Sequence, residues 1–298
     1  MPSKSDGLPL IERVLVLYRK STYQAMALEK KDQRFLELIQ TKDPSVSRME
    51  RAHQQHYRCL HIVQEALAKY QLEVTAAELS LIGSAGGHDL VVTVGGDGTF
   101  LSASHYLQDT PVLGVVSSDA SVGHFCGATA ARFPRMLKAV LEGEVKSASL
   151  QRLKVFLSDA PLRELALNEV LLCHRNPAST SRYLIRVNDV QEEQVSSGAW
   201  IATASGSTAA IGSAGGKLMP PLSRRIQFKI REPYRKHRDR YVLKSGFACP
   251  DQKLTFISKM EEGKIFVDGP HISYPFGLGE RLSIGLSEHP LRVFGMAI

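Results

Sequence analysis

One carboxylate stands inside a run of glycines, Gly95-Gly96-Asp97-Gly98-Thr99. Glycine has no Cβ, so such a run can turn tightly and let another group approach its backbone. The N–H groups of a turn of this kind, with a helix start behind it, can face phosphate oxygens. Thr99 is placed to cap that helix. An anion in a phosphate-facing turn repels its ligand unless it has a task. Two tasks suit Asp97: a general base on a hydroxyl, or a ligand of the Mg²⁺ that neutralises ATP. No G-K-[ST] follows, and G-x-G-x-x-G spacing is absent, so neither of those phosphate motifs applies. The competing reading is an Asp-Gly turn without chemistry.

Three further segments have suggestive chemistry. Asn168-Glu169 interrupts an apolar run. The carboxamide can donate and accept while the carboxylate takes hydroxyls, which suits an adenosine. Strand neighbours point to opposite faces, so both reach one ligand only at a strand end or bulge. The small residues Thr203 to Ala210 (TASGSTAA) let backbone lie against a flat ring, or else pack a strand on a helix. The basic stretch at 231–240 (REPYRKHRDR) reads first as a solvated loop and second as a phosphate-facing one.

These residues need elements to hold them. Strands are predicted at 13–18, from 73, at 89–94 and at 111–116, the last two apolar throughout, as in a parallel sheet covered on both faces. Helices are predicted at 47–70, 99–106 and 132–143, the last stopping at its glycine. Residues 33–47 read as a polar loop around Asp43-Pro44, and His53, His56 and His61 as helix surface. After residue 152 the pattern becomes a series of short strands, RLKVFL, ALNEVLL, YLIRVN, AWIATA, RIQFKI, KLTFIS, GKIFVD and RLSIGL. The fold class is therefore α/β plus β. A Rossmann-like open α/β domain carrying the glycine turn spans 1–146, with the tail 286–298, and a β-sandwich-like domain spans 147–285.

The 298 residues are 43% hydrophobic and 22% charged, a globular composition. No run of about 18 apolar residues appears, so no membrane partner is expected. Residues 1–7 lack the apolar segment of a secretion signal, and a cytoplasmic location is the expectation. Cys59, Cys126, Cys173 and Cys249 are widely spaced and read as free thiols. The net charge of +7 fits nucleotide phosphates, and no nucleic-acid partner is expected because aromatic interleaving is thin.

V-x-G-G-D-G-T resembles the signature shared by NAD kinases, diacylglycerol kinases and sphingosine kinases. Ala166 to Val170, Thr203 to Ala210, Gly212-Ser213-Ala214-Gly215-Gly216, Val267-Asp268-Gly269 and Leu278-Gly279-Glu280 resemble further motifs of NAD kinases alone, in matching order over 89–286. The sequence is identified as a member of that family, most similar to the branch with the plant NADH kinase and the animal mitochondrial NAD kinase. Gly123-His124-Phe125-Cys126 and Ser196-Ser197-Gly198 add to this likeness.

The resemblance implies transfer of a phosphoryl group from ATP to the 2′-hydroxyl of the adenosine ribose of NAD⁺ or NADH. It implies Asp97 as the catalytic residue. It also implies a nucleotide-binding set of Gly95, Gly96, Gly98, Thr99, Phe100, Asn168, Glu169, Ser197, Ser207, Thr208 and Ala209. Mg²⁺ is expected to come with ATP rather than in a side-chain cage, and a homo-oligomer, with a dimer favoured. Departures are Ala210 for the usual Tyr, and Ser197 for an Asp that many members carry. Loss of that carboxylate weakens a preference for the cationic oxidised nicotinamide and points toward NADH. A lipid kinase and a non-catalytic dinucleotide sensor are the rival readings.

Overall fold

The computed structural model describes residues 10–83, 85–236 and 240–296. The chain divides into two compact units, residues 1–148 with 292–297, and residues 149–291.

The first unit is built on a parallel sheet. Its strands are β1 (Arg13–Tyr18), β2 (Glu73–Glu78), β3 (Leu90–Gly95), β4 (Val112–Val116) and β5 (Cys126–Thr129). Their order is β2-β1-β3-β4, with β5 on β4 beyond a bulge at Gly114 and Val115. Two short strands, β6 (Ala148–Leu150) and another at Leu291–Val293, belong to this sheet and mark where the chain leaves the unit and returns. Val14, Val16, Val92, Val94, Leu113 and Val115 pack with helices α2 (Met49–Leu67) and α4 (Phe133–Leu141). The alternate residues Leu15, Leu17, Val91 and Val112 are equally buried, so both faces are covered. That two-sided burial is why these strands are apolar throughout.

Residues 33–47 differ from the polar loop expected. Gln33–Gln40 form helix α1, capped by Asp32, whose side chain accepts from Phe35 N at 2.8 Å. Phe35 is buried with Ala27 and Val46, and a local apolar cluster holds the helix despite its polar composition. Helix α4 ends at Leu141, and Gly143 follows at φ 73°, the left-handed conformation that glycine tolerates.

The second unit is two six-stranded antiparallel sheets. Its strands are β7 (Leu153–Leu157), β8 (Ala160–Pro161), β9 (Glu169–His174), β10 (Ser181–Val187), β11 (Val190–Ser196), β12 (Ala199–Ala202), β13 (Ile226–Ile230), β14 (Ser245–Ala248), β15 (Leu254–Ser258), β16 (Gly263–Val267), β17 (Ile272–Phe276) and β18 (Arg281–Leu286). One sheet runs β11-β10-β15-β18-β7-β8 and the other β14-β13-β12-β9-β16-β17. Alternate residues of both, among them Val155, Leu172, Ile185, Ile201, Phe228, Phe256, Ile265 and Ile284, make one contiguous core. This is sandwich packing, in which every second residue of each strand faces the other sheet.

Candidate active site

In the first unit the glycine turn leaves the C-terminal end of β3, where the strand order reverses between β1 and β3. Ligands of open α/β sheets bind outside the carboxyl ends of the strands at such a switch point. Gly96 caps helix α3 (Asp97–Ser104), and no side chain assists it. The expected cap, Thr99, instead lies inside the first turn with its Oγ1 against Gly95, where a Cβ on Gly95 would come to 2.3 Å. A Cβ on Gly96 would come within 2.7 Å of the Val122 carbonyl. Gly95 and Gly96 are therefore required by packing. Gly98 alone is exposed, with open space where a side chain would be. Phe100 is fully buried and stacked on Phe125 with ring centroids 5.3 Å apart. Its side chain braces α3 from within the core.

Asp97 opens α3, and its carboxylate accepts two backbone amides. His124 N donates to Oδ2 and Phe125 N to Oδ1, both at 3.0 Å, while Asp97 N donates to the Val122 carbonyl at 2.8 Å. The Gly123 to Cys126 stretch thus fixes the carboxylate's orientation. Each oxygen keeps a second lone pair. Among the described residues no three His, Cys, Asp or Glu side chains gather into a cation cage.

In the second unit Asn168 and Glu169 are both 8% exposed. Glu169 opens β9 and Asn168 precedes it, so the pair stands at a strand end. The Asp268 carboxylate accepts the N–H groups of Leu167, Asn168 and Glu169 at 2.7, 2.7 and 2.9 Å. The Thr203 hydroxyl donates to the Leu167 carbonyl at 2.6 Å, and Thr203 N to the Asn168 carbonyl at 2.9 Å. These hydrogen bonds go to backbone; the Glu169 carboxylate takes the Ala210 amide besides, which leaves one oxygen of each side chain unused. Asn168 Oδ1 and Glu169 Oε2 are buried with no partner. Burial, and then the charge of Asp268, push the Glu169 carboxyl up to about 8, against a smaller pull from the Ala210 amide.

The TASGSTAA stretch forms a 3₁₀ turn, Ser205–Thr208, followed by the one-turn helix α5 (Ala210–Ser213). A Cβ on Gly206 would lie 2.1 Å from the Asn168 carbonyl, so this turn presses directly on the Asn-Glu pair. Ser207 is buried and accepts Met219 N at 3.0 Å, whereas Thr208 is exposed and Ala209 half-exposed. The last two offer surface to a ligand, and Ser207 braces the loop beside them.

Ser197 lies elsewhere in the unit. It precedes β12, whose Ala199 pairs with Leu172 while Ala202 pairs with Glu169. At about 3.3 Å per residue it stands on the order of 16 Å along the strand from the level of Glu169. Its N–H donates to the Arg231 carbonyl at 3.0 Å, and the Arg231 guanidinium lies over Trp200 at 5.6 Å. The basic stretch continues into residues 237–239, which lie outside the described residues.

Two residues differ from what the sequence pattern shows. Asp268 has no role in that pattern beyond its turn, yet it anchors the Asn-Glu pair. His56 is expected on the helix surface and is instead buried, with Nδ1 2.9 Å from Ser117 Oγ. It stands four residues before Leu60, on the stripe that continues through Val63 and Leu67, and that spacing was the available signal.

The family profile of the ATP-NAD kinase N-terminal domain matches residues 15–145. A rice (Oryza sativa subsp. japonica) protein described as "Probable NADH kinase" is 39% identical over 228 residues, covering 69% of this chain and 70% of the rice protein. This chain belongs to the NAD kinase family. Two solved structures share the NAD kinase fold. An Archaeoglobus fulgidus NAD kinase in complex with ATP superposes with TM-score 0.68 at 24% identity, covering 95% of this chain and 93% of that one. Yeast NADH kinase complexed with NADH gives TM-score 0.69 at 18% identity, covering 97% and 84%. The α/β unit and the antiparallel β-rich unit of this NAD kinase therefore correspond to a known architecture.

Proposed function

We infer that this NAD kinase transfers the γ-phosphoryl group of ATP to the 2′-hydroxyl of the adenosine ribose of NAD⁺ or NADH, giving ADP and NADP(H). The observation that carries the acceptor is the pair of buried, unpartnered oxygens, Asn168 Oδ1 and Glu169 Oε2. Buried polar atoms without partners are costly, on the order of 1–3 kcal/mol each. The 3′-hydroxyl of that ribose, which keeps its proton, and a second polar hydrogen of the adenosine match two vacant acceptors. Thr208 and Ala209 supply the surface for adenine.

A bond forms between the ribose 2′-oxygen and the γ-phosphorus as the bond from that phosphorus to the β–γ bridging oxygen breaks. The hydroxyl proton goes to Asp97, whose oxygens keep the lone pairs that the His124 and Phe125 amides leave open. Those amides hold the carboxylate in one orientation, which a general base needs before its protonation behaviour matters. Gly98, exposed at the start of α3, presents backbone to phosphate. Magnesium accompanies the triphosphate and supplies charge neutralisation when bound.

We propose NADH as the preferred acceptor. Ser197 in place of a carboxylate and the similarity to the rice protein support this. No helix among the described residues is long and apolar enough to cross a membrane. A cytoplasmic setting and a homodimer complete the proposal, the latter checked by sedimentation. The deciding measurement is NADP(H) production with ATP or polyphosphate crossed against NAD⁺ or NADH. Turnover with ATP and a higher kcat/KM for NADH are expected. Absence of product in every combination rejects the kinase reading, and a clear NAD⁺ preference rejects only the choice of NADH.

A further inference from the structure

One sheet of the second unit carries on its outer face a charge pattern that phosphoryl transfer does not use. In the sheet β11-β10-β15-β18-β7-β8, Val155, Ile185, Phe256 and Ile284 point into the sandwich core. Their neighbours in sequence therefore point outward. The register sets those outward residues in rows. Lys154 of β7 pairs with Gly285 of β18, and the Lys253 stem passes 3.7 Å from where a Gly285 Cβ would be. The next row is Phe156, Ser283, Thr255 and Arg186. The row after it is Arg281, Ile257 and Leu184, ending on Glu193 of the edge strand. Arg182 comes two residues further along β10, opposite Val195. Five strands spaced by about 4.8 Å give this face a width on the order of 20 Å.

Five cations stand on it, Lys154, Lys253, Arg182, Arg186 and Arg281, and none has a carboxylate partner among the described residues. The carboxylate in these rows, Glu193, is taken by Lys259 at 2.5 Å. The middle of the face is apolar, with Phe156, Leu184 and Ile257 half-buried. The ammonium groups of Lys154 and Lys253 lie 5.3 and 5.4 Å from the centre of the Phe156 ring. Long stems thus cover the apolar patch and carry their charges outward. Keeping such a patch soluble takes charges of either sign, and surfaces ordinarily mix them. Charge of one sign, spread over a flat face, attracts an anionic counter-surface.

The pattern selects among anionic partners. A second copy docked about a two-fold axis would set these cations against themselves. A nucleic acid strand needs a groove for its backbone and open rings for its bases, and the aromatic ring in these rows is taken by two ammonium groups. The cations are spread in two dimensions rather than along a line, which suits a plane of headgroups better than one extended peptide. We propose that this face adheres by charge to the surface of a membrane containing anionic phospholipid. Such adhesion needs no apolar segment and inserts none. It does not depend on the kinase reading.

The test is co-sedimentation of the intact chain with vesicles of phosphatidylcholine alone, or with about 30% phosphatidylglycerol added. Wild type should partition onto the anionic vesicles and stay off the neutral ones, and raising salt from about 0.1 M to about 0.5 M should release it. Each cation near the surface is expected to contribute about fivefold to the partition coefficient. The triple variant Arg182→Gln, Arg186→Gln, Arg281→Gln should therefore lose about a hundredfold, with steady-state kinetics within about twofold of wild type. Three exposed cations of the first unit supply the control. Lys30→Gln, Lys69→Gln, Arg135→Gln makes the same change in net charge and should lose less than about threefold. Arg182→Gln alone, with a loss of about fivefold, decides the matter if the triple variant does not fold. Equal losses in the two triple variants would reduce the effect to net charge and overturn the proposal. Equal binding to neutral and anionic vesicles overturns it as well. So does an oligonucleotide or a polyglutamate chain that is held more tightly than the vesicles and is released by the arginine variant.

Discussion

Glu169→Gln separates a buried acid awaiting a ligand from an ordinary surface carboxylate. Glu169 is 8% exposed, and burial, helped by Asp268, pushes its carboxyl from the ordinary 4.5 to about 8. At roughly 1.36 kcal/mol per pH unit, that displacement corresponds to about 5 kcal/mol of folding free energy. The sign follows from proton counting. Between the two values the folded chain holds a proton that the unfolded chain has released. Its contribution to stability is whole below the ordinary value and is lost as the pH rises through about 8. Glutamine copies the neutral acid in shape and never ionises. Wild type and variant should therefore be nearly equal near about pH 5, with the variant gaining as pH rises. Relaxation and water entry reduce the full figure, and a relative gain of about 2 kcal/mol or more by about pH 8.5 is expected. Urea denaturation at both pH values measures it, and unchanged m-values would show that the folded and unfolded ensembles are comparable. Parallel stability curves for the two proteins across this window would sink the reasoning, because Glu169 would then be solvated rather than a vacant acceptor.

Three further outcomes follow from particular contacts. Asp97→Asn should preserve the fold and KM for dinucleotide while kcat falls at least about a hundredfold, measured by steady-state NADP(H) production; near-normal turnover removes Asp97 from the reaction. Gly96→Ala forces a Cβ to 2.7 Å from the Val122 carbonyl, whereas Gly98→Ala meets open space. The first should cost about 1–3 kcal/mol in denaturation, and the second should leave stability nearly unchanged while weakening ATP. Burial raises the Cys59 thiol to about 11 and Cys126 to about 12, with Asp97 adding to the latter, whereas Cys249 is exposed. Alkylation of native protein at mildly alkaline pH, followed by peptide mapping, should label Cys249 well before the other two, and equal labelling would contradict their burial.

Among the antiparallel strands the inner ones were legible and the edges were not. In the second unit the eight runs read from the sequence correspond to β7, β9, β10, β12, β13, β15, β16 and β18, each flanked by neighbours on both sides. The four unread strands, β8, β11, β14 and β17, are the four sheet edges. An edge strand has solvent along one side and tolerates charge and proline. Hence VQEEQVS of β11 carries two glutamates, and β17 contains Pro275. Helix α1 was missed for a related reason, since only Phe35 of its eight residues is buried. In the candidate site the glycine turn and the Asn-Glu pair stood out because polar or flexible residues interrupt apolar strands. The segments that orient them lie far away in sequence. His124 is 27 residues from Asp97, and Asp268 is 100 from Asn168, and no local pattern announces such pairings.

Both units use the same device, a carboxylate that accepts backbone amides from a separate segment, and its two instances differ in what they leave over. Asp268 takes three amides on two oxygens and thereby fixes the backbone beneath Asn168 and Glu169. It acts as a structural anchor, and the chemistry it supports is displayed by its neighbours. Asp97 takes one amide on each oxygen and is half-exposed. Two amides are enough to fix the plane of the carboxylate and too few to saturate it. A third donor on Asp97 would hold it more firmly and remove a lone pair that an incoming hydroxyl needs. An acid bound to its neighbours' backbone shapes a site, and an acid fixed by two amides with lone pairs left over can act in one.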